Sequence, residues 1–145
     1  MRDRKEIAEA VSACDELLVN IDEALSYLSS ASTWALRDIF GGDFLASFMK
    51  RSKMRKANEK IYAIKPSLVR LKKELKDVDI DLPDELSDSF YDNLFDLYFD
   101  NIFTDLRVRS ELKEKTQELT DLRAKVSYLR EELGKNLYGQ GRYVL

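Results

Sequence analysis

The sequence of residues 7–28 is IAEAVSACDELLVNIDEALSYL, and it decides the fold class. Apolar residues recur in it at alternating spacings of four and three, the pattern of a helix that packs along a seam. The seam residues are Ile7, Val11, Cys14, Leu18, Ile21, Leu25 and Leu28. A second row flanks them and consists of Ala10, Leu17, Ala24 and Ala31. Because this row widens the apolar stripe, we expect a helix over about residues 3–31 that packs against more than one neighbour.

The same alternation returns between Met54 and Val78, where it predicts a second long helix. Pro66 lies inside this stretch and lacks the N–H group that would donate to the carbonyl of Tyr62. The apolar seam nevertheless keeps its phase across Pro66. A kinked, continuous helix is therefore favoured over two separate helices.

A third long helix is predicted near the carboxyl end of the chain. Its seven-residue repeat consists of Leu112, Leu119, Val126 and Leu133, and the other seam positions hold Val108, Leu122 and Leu129. Lys115 interrupts the seam with a charge, and Gly134 is the predicted carboxyl-terminal stop. We expect one helical domain over residues 1–134 and a flexible tail over 135–145. The sequence leaves open whether residues 84–134 form one helix or two.

Two aromatic-rich segments lie between the predicted helices, over residues 32–49 and 86–106. Gly41 and Gly42 interrupt the first, so we expect a short helix that starts near Asp43. The predicted fold is thus all-α: an elongated, coiled-coil-like bundle of three long helices plus one or two short aromatic-rich segments. This is more apolar surface than a slim bundle hides, which favours self-association as a homo-oligomer. The predicted contact residues are Trp34, Phe40, Phe44, Phe48, Phe95, Phe99 and Phe103.

Charge is strongly segregated although the net charge is only −3. Residues 50–76 hold eleven basic and two acidic side chains, whereas residues 77–105 hold ten acidic and no basic ones. Internal pairing of these two blocks is the favoured interpretation. The alternative is an external partner: the cations Lys50, Arg51 and Lys53 follow the Trp34–Met49 aromatic segment, as in a peripheral membrane anchor. The adjacent acidic block disfavours nucleic acid.

The chain lacks the usual groups for catalysis and metal binding. It contains no histidine and one cysteine, Cys14, on the predicted seam. The aspartates at every fourth position from Asp84 to Asp100 indicate either a basic neighbour or a solvated face. Residues 77–88 have Leu82 where a calcium loop requires glycine. We therefore expect no enzyme activity, no cofactor and no metal. We also expect a cytoplasmic protein without a transmembrane segment, because the longest uncharged stretch, Ala24–Leu36, has thirteen residues.

Several scattered motifs resemble an uncharacterised family of small all-helical proteins from Gram-positive bacteria. The motifs are Trp34, Asp38 and Gly41-Gly42, then Ser52-Lys53 and Lys56-Ala57, then residues 99–105, FDNIFTD. The likeness covers roughly residues 30–125. It implies a bacterial, cytoplasmic setting and a pairing of the two aromatic segments, and it implies no functional residues because no activity is established for that family.

Overall fold

A computed structural model describes residues 2–41, 44–78 and 109–142, with side chains described for 4–37, 44–78 and 111–137. Three long helices account for these residues: α1 over Arg2–Gly41, α2 over Phe44–Lys76 and α3 over Arg109–Arg142. No strand occurs within those ranges. The prediction of an all-helical fold with three long helices is therefore confirmed for this part of the chain.

The first aromatic segment does not form a short helix of its own. Residues 32–41 extend α1 by ten residues beyond its predicted end, and Phe44 begins α2 rather than a separate helix. The helix predicted to start near Asp43 does start there, at Phe44, but it is the beginning of the long helix α2, because no glycine or proline interrupts the chain between Phe44 and Pro66. The second aromatic segment, over 86–106, lies outside the described residues.

The third helix passes through its predicted stop. α3 continues past Gly134 to Arg142, because Leu137 extends the apolar seam and packs against the core. Ion pairs from Lys135 back to Glu131 and Glu132 also span the glycine. A glycine inside a helix costs only about 1 kcal/mol relative to alanine, which one further apolar contact offsets. The division of the chain into a domain and a flexible tail at residue 134 stays a prediction.

The second helix is continuous through Pro66, as the phase of its seam predicted. Pro66 lies on the exposed side of α2, where a proline ring and a missing N–H group disturb the packing least. The buried residues of α2 are Ala46, Met54, Ala57, Ile61, Ile64, Ser67, Leu68 and Leu71.

The bundle is organised around α1. Packing contacts run from α1 to α2 and from α1 to α3, whereas α2 and α3 share no comparable set of contacts in the described residues. The fully buried residues of α1 come from both predicted rows, with Ala13 in addition, and are Ile7, Ala10, Ala13, Cys14, Leu17, Ile21, Ala24, Leu28 and Ala31. The predicted seam residues Val11, Leu18 and Leu25 are only partly buried. The core of α1 is therefore centred on the flanking row, since this helix packs against two neighbours.

Four ion pairs tie α1 to its neighbours and define their direction. Toward α2 they are Glu16–Arg70 at 2.5 Å and Glu23–Lys60 at 3.1 Å, and toward α3 they are Asp15–Arg130 at 2.9 Å and Asp22–Arg123 at 2.6 Å. Later residues of α1 meet earlier residues of each neighbour, so both neighbours run antiparallel to α1. Consecutive residues of a helix point about 100° apart, so each adjacent acidic pair serves both neighbours.

The pairing between α1 and α3 can be tested by exchanging charges. Asp22→Arg should lower the free energy of unfolding by up to about 1 kcal/mol, because it places two guanidinium groups together on an exposed surface. Adding Arg123→Asp should recover most of that loss. The matched control adds Arg130→Asp instead, which should not recover it because Arg130 pairs with Asp15. Urea unfolding midpoints measure all four chains, and equal recovery by both second changes would contradict this register.

Candidate interaction surface

The structure describes six side chains among the seven predicted aromatic contact residues and the three predicted cations. Those six are Trp34, Phe44, Phe48, Lys50, Arg51 and Lys53. The side chains of Phe40, Phe95, Phe99 and Phe103 lie outside the described residues. All six belong to the last two turns of α1 or the first three turns of α2.

These two helix ends lie at the same end of the bundle. α1 ends at Gly41 and α2 begins at Phe44, so only two residues separate them. Two residues span about 10 Å at most between the flanking Cα atoms, which holds the two helix ends close together. Exposed apolar residues gather at this position, and we call them the apolar end: Leu36, Phe44, Leu45 and Phe48.

The exposure of the apolar end is large. Phe44 is 86% exposed, Leu45 60%, Phe48 53% and Leu36 41%. The large core residues of the same helices, such as Leu28 and Ile61, are at most 1% exposed. Well-packed helices thus carry aromatic side chains in solvent at one end, which indicates a contact surface.

A line of exposed residues continues from the apolar end along α2. Phe44, Phe48, Arg51 and Arg55 are spaced by four, three and four residues, so they lie on one face of the helix, and all four are exposed. At 100° per residue this face points away from the buried row that contains Ile61. We call these four residues the outer stripe.

The remaining cations of this region have different surroundings. The ammonium group of Lys53 lies 6.0 Å from the centre of the Tyr27 ring on α1, and that of Lys60 lies at the same distance. Lys50 and Lys53 are half-buried, whereas Arg51 is exposed. Of the three predicted cations, Arg51 therefore presents its charge most fully to solvent. Arg55, which was not among the predicted contact residues, belongs beside it, and the heptad spacing from Phe44 and Phe48 is the signal that identifies it.

Trp34 is half-buried on α1, and the guanidinium carbon of Arg37 lies 4.8 Å from the centre of its ring. This is a cation–π contact, in which the positive charge meets the electron-rich face of the ring. It also keeps a basic group close to the apolar end on the α1 side.

Cys14 is fully buried in the core of α1. Burial raises the pKa of its thiol to about 12, and the neighbouring carboxylate of Asp15 adds to the effect. Since the thiolate is the nucleophilic form, the folded chain keeps this sulfur in its unreactive state.

The low reactivity of the Cys14 thiol in the folded chain can be tested with a thiol reagent. The native chain at pH 8 should react with Ellman's reagent on the order of a hundredfold or more slowly than the chain unfolded in urea, because both burial and protonation protect the sulfur. The absorbance of the released thiolate measures the rate. Comparable rates in the two states would show that Cys14 is reactive in the fold.

The buried Lys115 and the half-buried Glu118 form a charged pair on α3. Lys115 is only 6% exposed, and its ammonium group lies 3.8 Å from a carboxylate oxygen of Glu118. That oxygen, Oε2, is buried and has no hydrogen-bond partner among the described residues. Burial raises the pKa of Glu118, and the attraction of Lys115 opposes this without cancelling it. The charged carboxylate is therefore less favourable in the fold than in the unfolded chain.

This imbalance predicts a pH dependence of stability. A carboxyl group with a raised pKa in the fold supports folding best at low pH, and this support is lost as the pH rises through the folded pKa. Glu118→Gln should therefore raise the free energy of unfolding at pH 7. The gain should shrink as the pH falls through the raised folded pKa of Glu118, and it should be lost below the ordinary glutamate pKa of 4.5. Urea titrations over this range provide the measurement. The control Asp121→Asn removes one charge from an exposed position and should show no such gain.

The described residues contain no group of three or more histidine, cysteine, aspartate or glutamate residues that could hold a metal ion. None of their helices is both long and apolar enough to cross a membrane. Comparisons of the chain with protein-family models, with curated proteins and with solved structures found no match. Functional inference therefore depends on the surface itself.

Proposed function

We propose that this chain is a non-enzymatic interaction protein and that the apolar end is its contact surface. The observation that carries the proposal is the exposure of Phe44, at 86%, beside Leu45 and Phe48. Complete burial of a side chain of this size is worth about 1.5–3 kcal/mol. Three such residues at one end thus provide a large driving force for any partner that covers them, and aromatic residues are frequent anchors of such contacts.

Self-association is one form that the contact can take. Two copies that meet through their apolar ends would bury the aromatic residues of both, and the same patch would serve both sides, as in a twofold-symmetric dimer. A homo-oligomer is therefore part of this proposal. Attachment to a membrane surface is the second form, favoured by the exposed Arg51 and Arg55 that continue the outer stripe beyond the aromatic residues.

The absence of enzyme activity is also part of the proposal. The chain has no histidine, and its one thiol is buried with a raised pKa. These features support a binding role because they remove the commonest general base and the strongest nucleophile. A cytoplasmic setting completes the proposal, supported by the single cysteine and by the resemblance to small helical proteins of Gram-positive bacteria.

The contact surface is tested by making the apolar end polar. Phe44→Ser combined with Phe48→Ser should weaken any association of the chain roughly tenfold or more, because it removes two exposed anchors. Light scattering at tens of micromolar and vesicle co-sedimentation measure the two forms of contact. The circular dichroism spectrum should keep its helical minima, since both side chains are exposed in the monomer.

The matched control is Val19→Ser combined with Val69→Ser. Both valines are exposed, at 57% and 50%, and both lie far along the helices from the apolar end. Their replacement should leave association unchanged. The proposal fails if the unaltered chain neither self-associates nor binds vesicles, or if both double variants behave alike.

A further inference from the structure

The first three turns of α2 carry apolar and basic residues in a fixed order along the helix axis. At 1.5 Å per residue, Phe48 lies about 6 Å from Phe44, Arg51 about 10 Å and Arg55 about 16 Å. All four side chains are exposed. Interfacial elements bury apolar side chains about 5–10 Å into the headgroup region and keep their cations at the phosphate level. The order along α2 matches that layering if the bundle meets the surface end-on.

The end of α1 also carries an exposed apolar residue and the single tryptophan of the chain. Leu36 is exposed near the end of the helix, and Trp34 follows farther from it, about 10 Å before Gly41. The guanidinium group of Arg37 lies over the ring of Trp34. Tryptophan favours the boundary between lipid and water, because its ring is apolar while its N–H group is polar. Both helices therefore expose an apolar residue near this end of the bundle. On α1 Trp34 lies behind Leu36 but Arg37 lies one residue closer to the end, so the order of apolar residues followed by cations belongs to α2.

Charge favours attachment to a membrane surface over self-association as the contact made by the apolar end. Residues 34–56 hold six basic and two acidic side chains, a net charge of +4. In a twofold contact each apolar end meets an identical one, which brings the cations of both copies near one another. An anionic surface has the opposite charge and meets the same cations favourably.

From this geometry we propose that the apolar end docks end-on to a phospholipid bilayer with acidic headgroups. Phe44, Leu45 and Phe48 enter the interfacial region, while Arg51 and Arg55 bind the phosphates. The inference rests on the proposed function, because it names the partner of the same surface. An end-on contact leaves most of α2 away from the membrane. Lys73 and Lys76, for example, lie more than 40 Å along the helix from Phe44, at about 1.5 Å per residue.

The experiment uses the full chain with vesicles of phosphatidylcholine, with or without phosphatidylserine. Co-sedimentation measures the apparent Kd, and the fluorescence of Trp34, the only tryptophan, reports burial at the surface. Binding to phosphatidylserine vesicles should shift the emission to the blue and weaken with salt. Phe44→Ser with Phe48→Ser, and separately Arg51→Gln with Arg55→Gln, should each raise the Kd roughly tenfold or more.

Two control variants make the test specific. Lys73→Gln with Lys76→Gln removes two exposed charges from the far end of α2, and Val19→Ser with Val69→Ser removes two exposed apolar side chains elsewhere. Both should change the Kd by less than about twofold, because neither pair reaches the surface in an end-on contact.

Three results would overturn the inference. The first is a lack of sedimentation with phosphatidylserine vesicles at low salt. The second is a loss of vesicle binding on replacing Lys73 and Lys76 that equals the loss on replacing Arg51 and Arg55. This would indicate diffuse attraction by the whole basic helix. The third is self-association that depends on Phe44 and Phe48 without vesicle binding, which would leave the proposed function standing. If the chain neither self-associates nor binds vesicles, both the proposed function and the membrane inference are wrong.

Discussion

The two-sided burial of α1 is the constraint on which the rest of the described structure depends. Its stripe joins large residues such as Ile21 and Leu28 to alanines such as Ala24 and Ala31, and all four are fully buried. A narrow seam would serve one partner, whereas this wide stripe holds α2 on one side and α3 on the other. Because α2 and α3 have no comparable contact with each other in the described residues, α1 carries the arrangement of both.

The ion pairs between α1 and its neighbours favour one register and direction of packing, which apolar burial alone does not determine. Leucine and isoleucine rows tolerate a shift of one helical repeat, since apolar packing is not directional. The adjacent acids Asp15-Glu16 and Asp22-Glu23 recur after seven residues, which places one member of each pair beside α2 and the other beside α3. Each exposed pair contributes little stability. Shifting α3 by one seven-residue repeat would place Asp22 opposite Arg130 but would leave Asp15 opposite Leu137, so both α3 pairs form together only in the observed register.

This arrangement also determines where the exposed aromatic residues lie. Long antiparallel helices joined by two residues bring the end of α1 and the start of α2 together, and the main core cluster on α2 begins only at Met54, with Ala46 buried before it. Phe44 and Phe48 thus remain exposed although large residues farther along the same helices, such as Leu28 and Ile61, are buried. Their exposure is a consequence of geometry rather than of weak packing, because the face that carries them points away from the core.

Much of the fold could be predicted from local patterns. The heptad rows identified the cores of all three helices, and the unbroken phase of the seam identified α2 as continuous through Pro66. The end of α1 and the passage of α3 through Gly134 could not be predicted in the same way. Helix ends depend on small energies, so a few tertiary contacts, such as that of Leu137, decide them.

The candidate interaction surface could likewise be predicted only in part. The sequence alone determined that an aromatic segment precedes a basic one, that chemistry based on histidine is absent, and that three helices carry apolar rows. Only the tertiary structure decided which aromatic and basic residues face solvent. Exposure depends on how each helix is rotated about its axis, and that rotation is set by packing partners that lie far away in the sequence.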